Sequence, residues 1–170
     1  GYLAVYRPQG VSWEEAHFIA QALGGHLATI AAASEDTFVF EHLAPMVWAP
    51  GSFEGPWLGG YHLAKADDPV DQWLWVDNTP WNYTHWAPDQ PAAISTKAGL
   101  RYRDGGPEEG DWGWSIVEFG SVDEGSLYSG FVWHEPGSDT EDVLGAWSWN
   151  GYGWERVRIW PEDFFLACKK

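Results

Sequence analysis

Apolar positions alternate from the first residues: Tyr2-Leu3-Ala4-Val5-Tyr6 predicts a short strand. The period then changes. Ser12-Trp13-Glu14-Glu15 predicts a helix start, because Ser12 is suited to cap the first turn and Glu15, three residues on, completes a capping box. Trp13, Ala16, Ala20 and Leu23 fall on one helical face. Gly24-Gly25 supplies the left-handed residue that ends such a helix. His26-Leu27-Ala28-Thr29-Ile30 alternates again and predicts a strand. A second helix is predicted after Ser34, with Glu35 and Asp36 in the first turn, where acids suit the helix dipole. Its buried stripe would be Phe38, Val39, His42 and Leu43, and Pro45 would stop it.

Trp57-Leu58-Gly59-Gly60-Tyr61 and Trp73-Leu74-Trp75-Val76 predict two further strands, separated by an acidic turn carrying Asp67, Asp68 and Asp71. That turn reads as surface, with a structural ion site as the other reading. From about 79 to 153 the chain is rich in Gly, Pro, Trp and acids, with little helical period. It predicts a long loop region with a few strands, such as 115–119 and 129–133; long ordered loops in compact domains often carry function. Residues 164–168, Phe-Phe-Leu-Ala-Cys, read as a buried terminal strand. The expected architecture is α+β, one domain over residues 1–170, with two helices flanking small antiparallel sheets.

Composition narrows the function. The net charge of −16 argues against nucleic acid, whose phosphates recruit basic surfaces. No apolar run approaches the roughly 18 residues that would span a bilayer. Gly1-Tyr2-Leu3 reads as mature structure rather than a signal segment, which fits a module of a larger protein. Fourteen tryptophans supply core volume and also flat contact surfaces. The single cysteine, Cys168, excludes an intrachain disulfide. No nucleophile–base motif, phosphate-binding glycine loop or HExxH occurs; Glu108, Glu109 and Asp111 are the acids that would be imagined as a glycosidase pair, but nothing sets their separation. The chain is read as a binder and not an enzyme.

Six segments, in order, resemble the C-type lectin-like family. Ser12 to Ala16 followed by Leu23-Gly24-Gly25-His26-Leu27 resembles its first helix and strand, and Ser34-Glu35 its second helix start. Trp57-Leu58-Gly59-Gly60 is similar to its core strand and Trp73-Leu74-Trp75-Val76-Asp77 to its W-x-W-x-D segment. Tyr83-Thr84-His85-Trp86-Ala87-Pro88-Asp89-Gln90-Pro91 resembles the run into its sugar-specificity tripeptide, and Trp154 with 164–168 its closing strands. The chain departs from the family in its disulfides. Cys168 matches one outer cysteine, but Ala20 stands at its partner's place, as in microbial members of the family.

The resemblance implies sugar binding through Ca²⁺, an ion that wants six to eight hard oxygens. Two places resemble the ligand set. At Gln90-Pro91 the third residue is Ala92, which has no side-chain oxygen. At Glu135-Pro136-Gly137 the following Asp139, Glu141 and Asp142 echo the family's later acids, with Asn150 in a degraded Trp-Asn-Asp motif. The candidate metal ligands are therefore Glu135, Asp139, Glu141, Asp142 and Asn150; a solvated acidic loop is the other reading. Candidate ligand contacts are Gln90, Glu135, Asn150 and the aromatic cluster Trp112, Trp114, Trp147, Trp149 and Tyr152, whose rings suit the C–H faces of sugars or, alternatively, hold the loops together. Two functions stay open: a carbohydrate-recognition module of an adhesin or secreted protein, Ca²⁺-assisted, at the cell surface or outside the cell, and a metal-independent module that binds a surface protein or peptide.

Overall fold

The computed structural model describes residues 1–48, 52–63, 72–92, 94, 96–104, 112–119, 128–137, 141–149 and 152–157. The first alternating segment extends further than its hydrophobic run, as strand β1 (Tyr2–Val11). Helix α1 (Trp13–Ala22) follows directly. Its capping box forms: the Glu15 N–H donates to Ser12 Oγ at 3.2 Å, and the Ser12 N–H donates to Glu15 Oε2 at 3.2 Å. Gly24 sits at φ +82°, and the Gly24 and Gly25 N–H groups donate to Gln21 and Ala20 carbonyls, closing the last turn. Trp13, Ala16 and Ala20 are buried, but Leu23 is 42% exposed. The predicted face ends one turn early, because Leu23 caps the helix outside helical geometry.

The predicted strand over 26–30 shortens to β2 (His26–Leu27). Helix α2 (Ala33–His42) begins earlier than Ser34, and its N-cap, Ala32, offers no side-chain bond. Val39 and Leu43 are buried as expected. His42 is exposed against expectation and stacks on Phe38, with ring centroids 5.0 Å apart. Asp36 stands in the first turn as expected, and is fully buried. Pro45 does not end the helical path: the chain breaks at Leu43 and restarts as α3 (Ala44–Val47), where proline is tolerated in the first turn.

β3 (Glu54–His62) and β4 (Trp73–Trp75) match their predicted segments. The stretch from 79 to 153 is much richer in strands than its composition implied. It holds β5 (Ala98–Asp104), β6 (Trp112–Glu118), β7 (Tyr128–His134) and β8 (Val143–Trp149), with β9 (Trp154–Val157) just beyond. β5 was not predicted, although Leu100-Arg101-Tyr102-Arg103 alternates apolar and charged; five consecutive residues are buried, Arg101 with its guanidinium 2.7 Å from Glu54, so both its faces are covered.

Among the described residues these strands form one mixed sheet in the order β6-β5-β3-β7-β1-β8-β9, with β2 on β7 and β4 on β3. β1 lies antiparallel to β7 and parallel to β8. One core, including Val5, Ala16, Ala20, Trp57 and Phe131, packs under α1; the other, including Val39, Leu58, Trp75, Leu100 and Trp114, packs under α2 and the loop after β4. The strand facing Ala20 is β7: the Trp133 indole N–H donates to the Ala20 carbonyl at 3.1 Å. Gly25 makes room for that indole, since a Cβ there would fall inside the ring. The predicted strand 164–168, with Cys168, lies outside the described residues.

Candidate functional site

Two polar regions flank the first turn of α2. The inner one is centred on Asp36. Its Oδ1 accepts from the Tyr102 hydroxyl at 2.7 Å and the Trp114 indole N–H at 3.2 Å. Its Oδ2 accepts from the Tyr83 hydroxyl at 3.1 Å and from His85 Nδ1–H at 2.7 Å. A buried carboxylate is costly unless saturated with donors, and this one is. Burial first, and then the Asp36 charge and hydrogen bond, push the Tyr83 and Tyr102 hydroxyls above their ordinary value. The donors come from β5, β6 and the loop after β4, so one side chain of α2 ties three segments together. Backbone bonds reinforce it: Trp114 N–H donates to His85 O at 2.6 Å and Ala87 N–H to Trp114 O at 2.9 Å. Gly113 permits this approach, because a Cβ would lie 2.5 Å from the His85 carbonyl oxygen.

The outer region is an open cleft of about 420 Å³, within the ~300–1,000 Å³ typical of small-molecule sites. β1 supplies Tyr2, β2 His26, the first turn of α2 Glu35, and the segment after β4 Asp77 and Thr79. His134 ends β7, and Glu135 and Glu141 stand at the rim. Tyr2 is buried and stacks on His134, ring centroids 4.2 Å apart at 8°. Its hydroxyl donates to Glu35 Oε1, while Glu35 Oε2 accepts from the Ala31 N–H at 2.6 Å. The hydroxyls of Thr79 and Thr29 donate to Asp77 Oδ2 at 2.7 and 3.1 Å, and the Thr79 N–H donates to Oδ1 at 3.0 Å. Burial alone would raise the Asp77 carboxyl; the bonds from Thr79 and Thr29, with the neighbouring His26, outweigh it and hold the group below its usual value. Next to the cleft, burial and then His26 lower the His17 imidazole.

The candidates read from the sequence divide between these regions. Glu135 and Glu141 both line the cleft; Glu135 Oε2 is 3.3 Å from the Gly1 amino nitrogen. Asp142 is exposed and is not part of the lining; its carbonyl accepts from the Tyr2 N–H at 2.8 Å. Gln90 lies on the other side of Asp36, half-buried, with the Gln90–Pro91 peptide cis and its Oε1 accepting from the Ile116 N–H at 3.3 Å. Trp114 is a correction: its ring is completely buried, so it offers no face to a ligand. Trp112 is half-buried and stacks on Phe40 at 3.7 Å, with His85 edge-on at 4.2 Å. Trp147 is partly buried in β8, beside Val5 of β1. Tyr152 is 98% exposed, two residues before β9. Trp149 ends β8. Asp139 and Asn150 lie outside the described residues, as do Asp67, Asp68, Asp71, Glu108, Glu109 and Asp111. Asp36, Asp77, His26 and His134 carry most of the polar geometry and were not singled out; only the acid at the end of W-x-W-x-D was a signal.

Among the described residues, the place around Gln90 does not complete a Ca²⁺ site. Gln90 spends an oxygen on Ile116, Ala92 has none, and β6 presents buried Ser115 and apolar Ile116 alongside. Among the described residues, no three His, Cys, Asp or Glu side chains converge closely enough to hold a metal.

No family model matches the chain. Over 79 residues it is 34% identical to the human secretory phospholipase A2 receptor, covering 46% of this chain and 5% of the receptor, so it spans a small part of that relative's length. Its structure is similar to the carbohydrate-recognition domain of cow CD23, solved in the presence of a GlcNAc2Man3 oligosaccharide, with a TM-score of 0.53 and 21% identity over 77% of this chain and 83% of that one. A Ca²⁺-dependent type II antifreeze protein, solved in its Ca²⁺-free form, gives a TM-score of 0.54 at 22% identity over 77% of this chain and 87% of that one. At these identities the likeness is one of fold.

Proposed function

From the premise that this chain has the C-type lectin-like fold, we propose that it is a carbohydrate-recognition module of an extracellular or cell-surface protein, holding its ligand by direct protein contacts in the cleft beside α2. The carrying observation is the cleft. It is concave, large enough for a sugar ring, and lined by hydroxyl, imidazole and carboxylate groups of the kind that bond sugar hydroxyls. Binding rather than catalysis is supported by the solved structures of similar fold, a carbohydrate-recognition domain and an antifreeze protein. Direct contact, in place of an ion, is supported by the incomplete Ca²⁺ ligand sets.

The test is a glycan panel read by thermal melting and calorimetry, in Ca²⁺ and again in EDTA. A sugar at about 100 times its dissociation constant should add about 2.7 kcal/mol of stability in either buffer. Binding lost in EDTA would restore the ion. A second reading, a protein partner, is favoured by the fully exposed Tyr152 and half-exposed Leu144 on the β8–β9 side, and would be indicated by binding that simple sugars do not compete and that Tyr152→Ala removes.

A further inference from the structure

We infer that the cleft selects a ligand bearing a primary ammonium group, which among sugars means an amino sugar; this rests on the carbohydrate reading of the same cleft. The argument is an inventory of donors and acceptors around a defined cavity. His26 Nδ1 lies 2.8 Å from the Leu27 carbonyl oxygen. A carbonyl only accepts, so Nδ1 carries the proton, and in the neutral ring Nε2 presents a lone pair. That lone pair stands 4.0 Å from Asp77 Oδ2, beyond hydrogen-bond distance. Asp77 Oδ2 already accepts from Thr29 and Thr79, and Oδ1 from the Thr79 N–H alone, so the acceptor capacity left on this pair is the His26 Nε2 lone pair and the second lone pair of Asp77 Oδ1, which a group with several N–H donors can meet.

The hydroxyls nearby do not fill the deficit. Tyr2 gives its proton to Glu35, and Thr29 and Thr79 give theirs to Asp77. What these oxygens keep for the cleft is acceptor capacity. The rim adds the exposed carboxylates of Glu135, which lies 3.3 Å from the Gly1 amino nitrogen, and Glu141, and no Lys or Arg is among the described lining residues. A sugar hydroxyl supplies one donor and no charge. An ammonium supplies three donors and a positive charge, and the chain's net charge of −16 favours its approach. An anionic sugar would add negative charge beside the carboxylates of Glu35, Asp77, Glu135 and Glu141.

The experiment is calorimetric titration in EDTA at neutral pH with glucosamine, N-acetylglucosamine, glucose and butylamine, on the whole chain. Glucosamine is expected to bind at least tenfold more tightly than glucose or N-acetylglucosamine, and to weaken with added salt. Asp77→Asn, which keeps the shape and loses the charge, should reduce glucosamine affinity at least tenfold. If that variant does not fold, Glu135→Gln combined with Glu141→Gln at the exposed rim should still weaken it several-fold. Equal binding of all three sugars overturns the ammonium selection and leaves carbohydrate binding standing. Butylamine binding as tightly as glucosamine, with no sugar bound, keeps the ammonium site and removes the carbohydrate reading. Preference for glucosamine that neither charge-removing variant alters overturns the placement in the cleft, and no binding of any probe overturns both.

Discussion

Glu35 and Asp36 are neighbours on one turn of α2 and meet opposite fates. Asp36 turns inward, where four donors from three segments saturate it. Glu35 turns to the cleft, where it joins Asp77, Glu135 and Glu141 around open space. The difference teaches how to sort carboxylates in an acidic protein. One whose lone pairs are all met by the chain holds the fold together. Those whose remaining acceptor capacity points into a cavity are available to a ligand.

Removing the inner carboxylate should have the largest effect. Asp36→Ala strands buried donors and unpins the loop after β4, and is expected to cost about 3–5 kcal/mol in urea unfolding. A loss below about 1 kcal/mol would dissolve the contrast between the two regions. The same network sets an alkaline limit. The Tyr83 and Tyr102 hydroxyls are raised in the folded state, so the unfolded chain ionises first; their contribution is complete below the ordinary tyrosine value of 10.0 and is lost as pH rises past it. Denaturation midpoints should fall there, and Tyr83→Phe should soften that fall.

The outer region should respond to acid instead. Asp77 is lowered in the folded state, so its contribution is complete above the ordinary value of 3.8 and is lost as pH falls below it toward the folded value. His17 is also lowered, so it protonates first in the unfolded chain and stability should begin to decline as pH drops below 6.5. His17→Gln should flatten that earlier slope and leave the later one; an unchanged profile would remove His17 from the account. A smaller effect is expected from Gln90→Ala, about 1 kcal/mol for the bond to Ile116, with the same value in Ca²⁺ and EDTA. Glu141→Gln should be smallest, within about 0.5 kcal/mol of the parent in unfolding, because its side chain is exposed.

Much of this fold is legible in short stretches of sequence. The capping box at Ser12, the glycine stop at Gly24, the buried Trp13-Ala16-Ala20 face and the strands around Trp57 and Trp73 all follow from patterns a few residues long, because capping and helical or strand periodicity act over that range. The misreadings have the opposite character. β5 alternates only over Leu100 to Arg103 and β8 only over Trp147 to Trp149, short runs among glycines and acids, and their identity as strands depends on neighbours distant in sequence: β3 and β6 for one, β1 and β9 for the other. Trp114 reads as a loop aromatic until α2 brings Asp36 to its indole N–H.

The candidate site divides the same way. Glu135, in a Glu-Pro pair, and Glu141, among the acids after it, were visible, but as members of an ion-binding set. The sequence alone determined the two main helices, the strands around Tyr2, Trp57 and Trp73, the acidic balance and the presence of enough carboxylates and aromatic rings to bind something. Only the tertiary structure decided which carboxylates are spent and which are free to act. Tyr2, His26, Glu35, Asp77 and Glu135 come from five separate places along the chain, and the direction of each hydrogen bond among them depends on which partner folding sets within about 3 Å.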